Sequence, residues 1–520
     1  MDIRCLGDIV RVHGAERPDA TALVLDDVRV SWRELDRRTS QVAAALGELG
    51  VGPQDRVALI DKNSIESYEV VFGLAKCNAV AVNVNWRLAP PEMAQIIDDA
   101  QAEVVIVGAE FFGHVEAIQA DLATVKTIIA IGDHAGWIDY GTWVDAAPAQ
   151  DPGLVAAAAD IAYQLYTSGT TGLPKGVMLS TANVFALLDP IGERWAFEPG
   201  VSVNLAIMPL FHIGGLGWAG VGLYFGCTTV ILREVDPARV LEVIEQHRVT
   251  HGFLVPAVIQ FLLQMPNVAT TDFSSLELIV YGASPISDTT LQSALETFQC
   301  DFAQVYGATE TSGAITQLDP ADHDPVNRPD LLRSCGKPYP WVEFRVVDSS
   351  TGSDAAVGEV GEFWTRSPQN MVGYWNNPEA TAAAITPDGW FKTGDAGYVD
   401  AEGFLYIHDR VKDMIVTGGE NVYPAEVENV LAKHPAVADV AVIGVPDERW
   451  GEAVKAVVVK VADGDVSADD LIAFSRDRVA GFKVPKSVDF VGELPRNPSG
   501  KLMKREIREP YWSGQARRIG

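Results

Sequence analysis

The chain has little cysteine, a deficit of positive charge and no long hydrophobic run, and each shortage removes a class of protein. Its five cysteines (Cys5, Cys77, Cys227, Cys300 and Cys335) are scattered through 520 residues, without a C-x-x-C pair or a metal spacing. That excludes a disulfide-stapled scaffold and fits reduced thiols in a cytosolic enzyme. Lys and Arg number 40 against 70 Asp and Glu, a formal net charge of −30. Such a balance speaks against nucleic acid and against an anionic membrane surface as partners. The opening residues MDIRCLGDIV lack a long apolar core, and nowhere does an apolar run reach the ~20 residues of a membrane-spanning helix. A soluble, cytoplasmic protein without an integral membrane segment is expected. No internal repeat is evident.

What is present is ordinary globular material: 48% hydrophobic and 21% charged residues. At this length one core is not enough, and two or more lobes are expected. Residues 22–32 alternate around Asp26-Asp27 and predict a hairpin. Ser31 with Glu34 forms a capping-box pattern ahead of a helix carrying Leu35, Val42, Ala43 and Leu46. RVALID, SIESYEVVFGLAKCN, AVAVNVNW, PPEMAQIIDDA and AEVVIVG then alternate strand and helix, which predicts parallel sheet covered by helices. Residues 142–160 are Ala-rich and read as a surface connection.

The most informative stretch is Tyr166 to Gly176, YTSGTTGLPKG. It concentrates Thr167, Ser168, Thr170 and Thr171 with Gly169, Gly172 and Gly176 and a single cation, Lys175. An apolar strand, IAYQLY, precedes it, and Ser180 and Thr181 are candidate N-caps for a following helix. A strand, a Gly/Ser/Thr loop and a helix predict a phosphate cradle in which backbone N–H groups and hydroxyls donate and the lysine adds charge. It fits neither a Walker register nor a G-x-G-x-x-G.

Further on, MPLFHIGGLG (208–217) predicts an apolar turn with glycines around His212. ELIVYGASP (277–285) and FAQVYGATETSG (302–313) are strands that end in Gly-containing turns. Ligands of open α/β sheets sit beyond the carboxyl ends of strands, so these two turns should converge on one crevice. From 341 the pattern is all-β, a small and more barrel-like subdomain. DGWFKTGD then leads into a hairpin turned at Asp400–Gly403. After DRVKD (409–413) the texture changes to a compact α+β unit, with helices at PAEVENVLAKHP and ADDLIAFSRDRV and strands at VADVAVIGVP and EAVKAVVVK. The last residues are locally basic and read as a solvated tail.

These motifs, in this order, closely resemble the adenylate-forming superfamily of acyl-CoA synthetases, peptide-synthetase adenylation domains and luciferases. The resemblance implies an α/β protein with a large N-terminal adenylation domain (1–409), a hinge (410–413) and a mobile C-terminal lid (414–520). It implies that 166–176 and Gly282, Ala283 and Ser284 hold ATP, that Tyr306 stacks on adenine beside Gly307, and that Thr309 touches phosphate. Glu310 and Thr167 would hold Mg²⁺, Asp395 the ribose hydroxyls, and Arg410 the ribose and phosphate. Lys412 would be the hinge and Lys501 the catalytic lysine. His212, Gly214, Gly215, Leu216, Trp218 and Gly313 would line an acyl pocket, and Gly418, Gly419 and Glu420 a coenzyme A tunnel. Where some long-chain synthetases carry an aromatic gate, this chain has Leu216.

The implied reaction activates an apolar carboxylic acid with ATP to an acyl-adenylate, which then passes to a thiol. The string DMIVTGGENVYPAEVE resembles acyl-CoA synthetases more than peptide-synthetase modules, which points to coenzyme A. A carrier-protein ligase, a non-catalytic nucleotide-binding scaffold and a luciferase-type oxidation are the other readings. Fatty, aryl and alicyclic acids all stay open, as does a homodimer.

Overall fold

The computed structural model describes residues 3–168, 174–284, 286–348, 351–410, 413–417, 420–447, 449–462, 464–476, 478–496 and 502–512. Its contacts divide into two compact units, Met1–Glu343 with Arg366–Phe391, and Phe344–Thr365 with Lys392–Gly520. The sequence boundary at 409/410 therefore differs from the contact boundary, which assigns the β-rich stretch to the second unit.

Two sheets build the first unit. One runs, in spatial order, Gly373–Tyr374, Pro174–Ser180, Ile161–Ser168, Val80–Asn83, Arg56–Ile60, Val104–Gly108, Thr127–Ile131 and Ile138–Asp139. From Ile161–Ser168 to Ile138–Asp139 its strands are parallel. Their near-continuous Val/Ile/Ala runs are those of strands covered on both faces. On one face Val82, Val105 and Val107 pack with Met93, Ile96 and Ile97 of the Pro90–Asp99 helix. The helices Trp32–Glu48 and Ile65–Lys76 are started by Ser31 and Ser64, whose side chains accept from the Glu34 and Ser67 N–H groups. They are locked together by the fully buried Lys76, whose ammonium lies 2.5 Å from Asp36 and 3.1 Å from Asp151.

The other sheet runs Lys337–Pro338, Gly313–Leu318, Asp301–Ala308, Leu278–Gly282, His251–Leu254, Val203–Ala206, Thr228–Ile231, Thr21–Leu25 and Val28–Ser31. Its centre is parallel and its two ends are antiparallel. The hairpin expected at 22–32 forms one edge.

The stretch after the phosphate loop corrects the sequence reading. The loop leads into a second strand, Pro174–Ser180, which pairs antiparallel with Ile161–Ser168, and not directly into a helix. Val177 and Leu179 alternate into the core at 0% exposure, and that period-2 burial holds the chain extended. Helix Thr181–Trp195 begins only where Ser180 caps it in a reciprocal pair with Asn183. The 208–217 segment is also more helical than expected. His212 occupies the N-cap position of helix Ile213–Tyr224, and the glycines lie inside its first turns.

In the second unit, Glu343–Val347, Gly361–Arg366, Phe391–Val399 and Leu405–Arg410 form a four-stranded sheet, with no closing pair among the described residues. The C-terminal sheet pairs Ile415–Thr417, Glu420–Val422, Gly451–Lys460, Val437–Asp447 and Ser487–Val491. Its core joins Val427, Leu431, Val442, Val454 and Leu471. The described part of the basic C-terminal string is not a free tail: Lys504–Arg508 is a short helix with Ile507 buried, while Lys501, Arg517 and Arg518 lie outside the described residues. Lys504 pairs with Glu428, Arg508 with Asp413 and Arg496 with Asp439. Among the described residues no helix is long and apolar enough to cross a membrane.

Candidate active site

The strand ends expected to line one crevice lie in the first unit, where the two sheets bring three of them together. Gly282 pairs with Val305 on the neighbouring strand, so the turns after Leu278–Gly282 and Asp301–Ala308 open side by side. Ala283 sits at φ +68°, a left-handed conformation that costs a β-carbon residue about a kcal/mol or more. Ser284 follows it. Tyr306 is buried and faces Thr316 across the antiparallel ladder. At Gly307 a β-carbon would stand 1.9 Å from the Gly313 carbonyl oxygen, so only glycine fits.

Thr309, Glu310 and Thr311 form a single 3₁₀ turn. The Thr311 hydroxyl ties it, accepting from the Ala308 N–H at 2.9 Å and donating to the Gly313 carbonyl at 2.7 Å. The buried Gln369 amide donates to the Thr311 and Ala314 carbonyls, and the Met371 N–H donates to the Glu310 carbonyl at 2.8 Å. The backbone around Glu310 is therefore clamped from behind by residues 369–371.

The phosphate hairpin comes from the other sheet. Thr167 faces Lys175, and Ser168 faces Pro174. Gly169, Thr170, Thr171 and Gly172, at its tip, lie outside the described residues. Strand Gly373–Tyr374 pairs with the hairpin's outer side, Tyr374 opposite Val177. The Lys175 ammonium sits 5.0 Å from the Tyr374 ring centroid. The Tyr374 hydroxyl donates to Glu310 Oε1 at 3.1 Å. One tyrosine thus spans the hairpin cation and the carboxylate of the opposite sheet. Neither Lys175 nor Glu310 forms an ion pair within 4 Å among the described residues, and the Thr167 hydroxyl has no hydrogen-bond partner there. The base of the hairpin is fixed by Tyr166, which donates to Asp99 at 2.5 Å. Burial, then Asp99, pushes its phenol far above the ordinary range. Trp375 donates to the Asp99 carbonyl at 2.8 Å and stacks under the Arg56 guanidinium at 3.7 Å.

The acyl-pocket candidates divide. Ile213 and Leu187 stand 3.8 and 3.6 Å from the point where a Gly313 side chain would begin, so the helix start and Gly313 share one lining. A Gly215 β-carbon would meet the Pro209 carbonyl oxygen at 2.1 Å, which fixes glycine there. His212 Nε2 is buried without a hydrogen-bond partner among the described residues. Burial, aided by Arg87, lowers the imidazole to about 4, so it is neutral near pH 7. Trp218, by contrast, is spent on packing: its indole N–H donates to the Leu205 carbonyl at 3.0 Å, against Trp195 and Phe197. Leu216 borders a void of ≈ 10 Å³ with Tyr68, Tyr163 and Leu210, room for about one water.

In the second unit Asp395 lies within strand Phe391–Val399 and is 7% exposed, not in a turn. It pairs across the ladder with Arg410. Gly394, at φ +72°, immediately precedes it. Glu420 begins strand Glu420–Val422. Lys412, Gly418, Gly419 and Lys501 lie outside the described residues.

Residues 10–375 match the AMP-binding enzyme family, and residues 426–501 match the AMP-binding enzyme C-terminal domain. The chain belongs to the AMP-binding enzyme family. Within this adenylate-forming family it is an acid–thiol ligase. It is 41% identical to a fatty acid–[acyl-carrier-protein] ligase, ScoC, of Streptomyces coeruleorubidus over 98% of this chain and 96% of the relative. It is 37% identical to a feruloyl-CoA synthase of an Amycolatopsis species, over 95% and 96%. The ATP-bound structure of MatB from Rhodopseudomonas palustris superposes with a TM-score of 0.88 at 30% identity, covering 98% and 99%.

The residues that sequence reasoning missed are Tyr374, Gln369 and Asp99. Each acts through a partner at least 55 positions away. The one available signal was the Gly373-Tyr374-Trp375 triplet, two aromatics after a glycine in a polar surrounding.

Proposed function

We propose that this protein is an acyl-CoA synthetase that activates an apolar carboxylic acid to its acyl-adenylate and then to a coenzyme A thioester. AMP and pyrophosphate are released. The observation that carries this reading is the Lys175–Tyr374–Glu310 bridge, a cation without a counter-ion and a carboxylate without a cation among the described residues, on the strand that leads out of the Ser/Thr/Gly stretch and on the turn facing it. Such a pair suits a polyphosphate with its metal and suits little else.

The donor set fits Mg²⁺. No cluster of three or more His, Cys, Asp or Glu able to hold a metal exists among the described residues, and Mg²⁺ commonly binds through one or two carboxylates plus substrate phosphates and water. Glu310, with Thr167, would hold it. When bound, it supplies positive charge to the phosphates. The hairpin hydroxyls and N–H groups orient the triphosphate, and Lys175 neutralises it. Tyr306 offers a flat face to adenine. Asp395 accepts from the ribose hydroxyls and Arg410 adds a donor. Lys501 bridges the acid carboxylate and the α-phosphate, where the carboxylate oxygen attacks phosphorus and pyrophosphate leaves. Positioning and charge neutralisation provide most of the acceleration. The second step is thiol attack on the acyl carbonyl with AMP as leaving group. The C-terminal lid turns about Lys412 between the steps and brings Gly418, Gly419 and Glu420 to the pantetheine. The reaction takes place in the cytoplasm.

The acid enters past His212, Gly214 and Gly313. A neutral imidazole in an apolar wall suits an uncharged acyl group, and the feruloyl and fatty-acid relatives keep both aryl and alkyl chains in view. The 41% identical ScoC favours a second reading, transfer to a carrier protein. ATP-to-AMP conversion across a panel of carboxylic acids, with and without coenzyme A, decides. AMP release that needs both one acid class and coenzyme A supports the synthetase. Acid-dependent pyrophosphate exchange indifferent to coenzyme A assigns the carrier-protein ligase. No acid-dependent exchange refutes both.

A further inference from the structure

We propose that Tyr374 is a positioning residue that acts on the two halves of the ATP site separately, its hydroxyl setting the metal carboxylate and its ring setting the phosphate lysine. The inference rests on the reading of Glu310 as the Mg²⁺ carboxylate.

The geometry follows from strand pairing. Tyr374 stands directly opposite Val177 in the antiparallel pair Gly373–Tyr374 with Pro174–Ser180. Lys175 precedes Val177 by two residues and therefore shares its face, which makes Lys175 the diagonal cross-strand neighbour of Tyr374. That places the ammonium 5.0 Å from the ring centroid, within cation–π range. From the same ring the hydroxyl donates to Glu310 Oε1 at 3.1 Å. With one carboxylate oxygen so held, the other has no hydrogen-bond or ionic partner among the described residues and is free to face a cation. A hydrogen bond to the non-ligating oxygen fixes the orientation of a metal carboxylate.

Tyr374 is itself well anchored. It is 9% exposed, and its N–H donates to the Thr381 hydroxyl at 2.9 Å. On either side, the Val372 and Trp375 N–H groups donate to the Met178 and Gly176 carbonyls at 3.0 and 2.7 Å. The ring is therefore a fixed spacer between the two charges. Phenylalanine would keep the spacer and lose the hydroxyl, whereas leucine would lose both.

Wild type, Tyr374→Phe, Tyr374→Leu and Glu310→Gln are compared by three measurements. These are metal-free ATP binding by calorimetry, Mn²⁺ binding to the ATP complex by EPR, and the half-saturating free Mg²⁺ in pyrophosphate exchange. Tyr374→Phe is expected to weaken Mn²⁺ binding and raise the Mg²⁺ requirement about tenfold, with metal-free ATP affinity within about twofold of wild type. Tyr374→Leu adds a further ~3-fold or greater loss of metal-free ATP affinity. Unaltered metal binding in Tyr374→Phe, alongside a clear loss in Glu310→Gln, overturns the inference and leaves the metal assignment standing. Unaltered metal binding in Glu310→Gln overturns the assignment of Glu310 and this inference with it. A lowered melting temperature in both tyrosine variants, with unchanged metal and ATP binding, reduces Tyr374 to a packing residue.

Discussion

The two large sheets present their candidate functional residues in opposite ways. The nine-stranded sheet delivers Gly282 to Ser284 and Tyr306 to Glu310 at the ends of central strands. Their backbone there has almost no latitude, with a glycine pressed on a carbonyl at Gly307 and a left-handed alanine at 283. The eight-stranded sheet delivers Thr167, Ser168 and Lys175 on an antiparallel hairpin near its edge, steadied by one short outer strand and a few aromatic contacts. One side of the site is a fixed template, and the other is an arm laid against it. On the proposed reading, the site binds a long flexible anion and later releases half of it, and it gains from having one side of each kind.

If that contrast is right, the largest effect should come from the rigid side. Gly307→Ala forces a methyl onto the Gly313 carbonyl and should lower adenylation by ~100-fold or more. Its melting temperature should also fall, reflecting a few kcal/mol (roughly 2–4) of strain. Near-normal pyrophosphate exchange in this variant would mean the template gives way. Next, Glu310→Gln should cost ~10²–10³-fold in the adenylation rate, yet leave the melting temperature close to wild type, because the carboxylate has no cationic partner among the described residues to lose. Lys175→Met, on the arm, should act mainly through ATP affinity. A ~10-fold rise in the KM for ATP is expected from the loss of one charge-assisted contact, with kcat falling less. An effect on kcat as large as that of Glu310→Gln would show the arm to be as fixed as the template.

The smallest effect separates the sheets by pH. His251 lies in the nine-stranded sheet, His323 bonds its Tyr281, and His212 stands at the start of the helix that follows its Val203–Ala206 strand. Burial lowers all three to about 4. As pH falls below the ordinary histidine value of ~6.5, the unfolded chain takes up protons that the folded one refuses. Stability is therefore lost progressively between pH 6.5 and 4. Asp151, held at about 2 although burial opposes it, by its bonds to Arg11 and the Gly153 N–H and by Lys76, adds a loss only below pH ~4. Amide exchange at pH 5 should open Leu278–Gly282 before Val104–Gly108. The reverse order would deny the histidines this role.

Much of this was legible in the sequence because local chemistry and global fold agree. Ser31, Ser64, Ser180 and Ser287 cap the helices that begin after them, and the parallel core strands announce themselves as Val/Ile runs. Gly307 and Gly215 stand where backbones touch. What escaped was pairing over distance. The strand at Pro174–Ser180 is decided by the burial of Val177 and Leu179 against a partner strand, so the helix that Ser180 announces starts only at Thr181 and does not follow the loop directly. Tyr374 looked like any surface aromatic, since nothing local says that its ring meets Lys175 and its hydroxyl Glu310, 199 and 64 positions earlier. The fate of Lys504 and Arg508 likewise depended on carboxylates 76 and 95 residues away.

The first unit is not continuous in the chain: its Arg366–Phe391 segment comes only after Phe344–Thr365 of the second. On the ribosome this sets an order of events. A nascent chain that has emerged as far as residue 365 has made both large sheets except for their last contribution to the site, the Gly373–Tyr374 strand. Its hairpin lysine and its 3₁₀-turn glutamate are present but not yet spanned. The Lys175–Tyr374–Glu310 bridge is therefore completed late in synthesis, by a short edge strand, which delays it until about three-quarters of the protein has been translated.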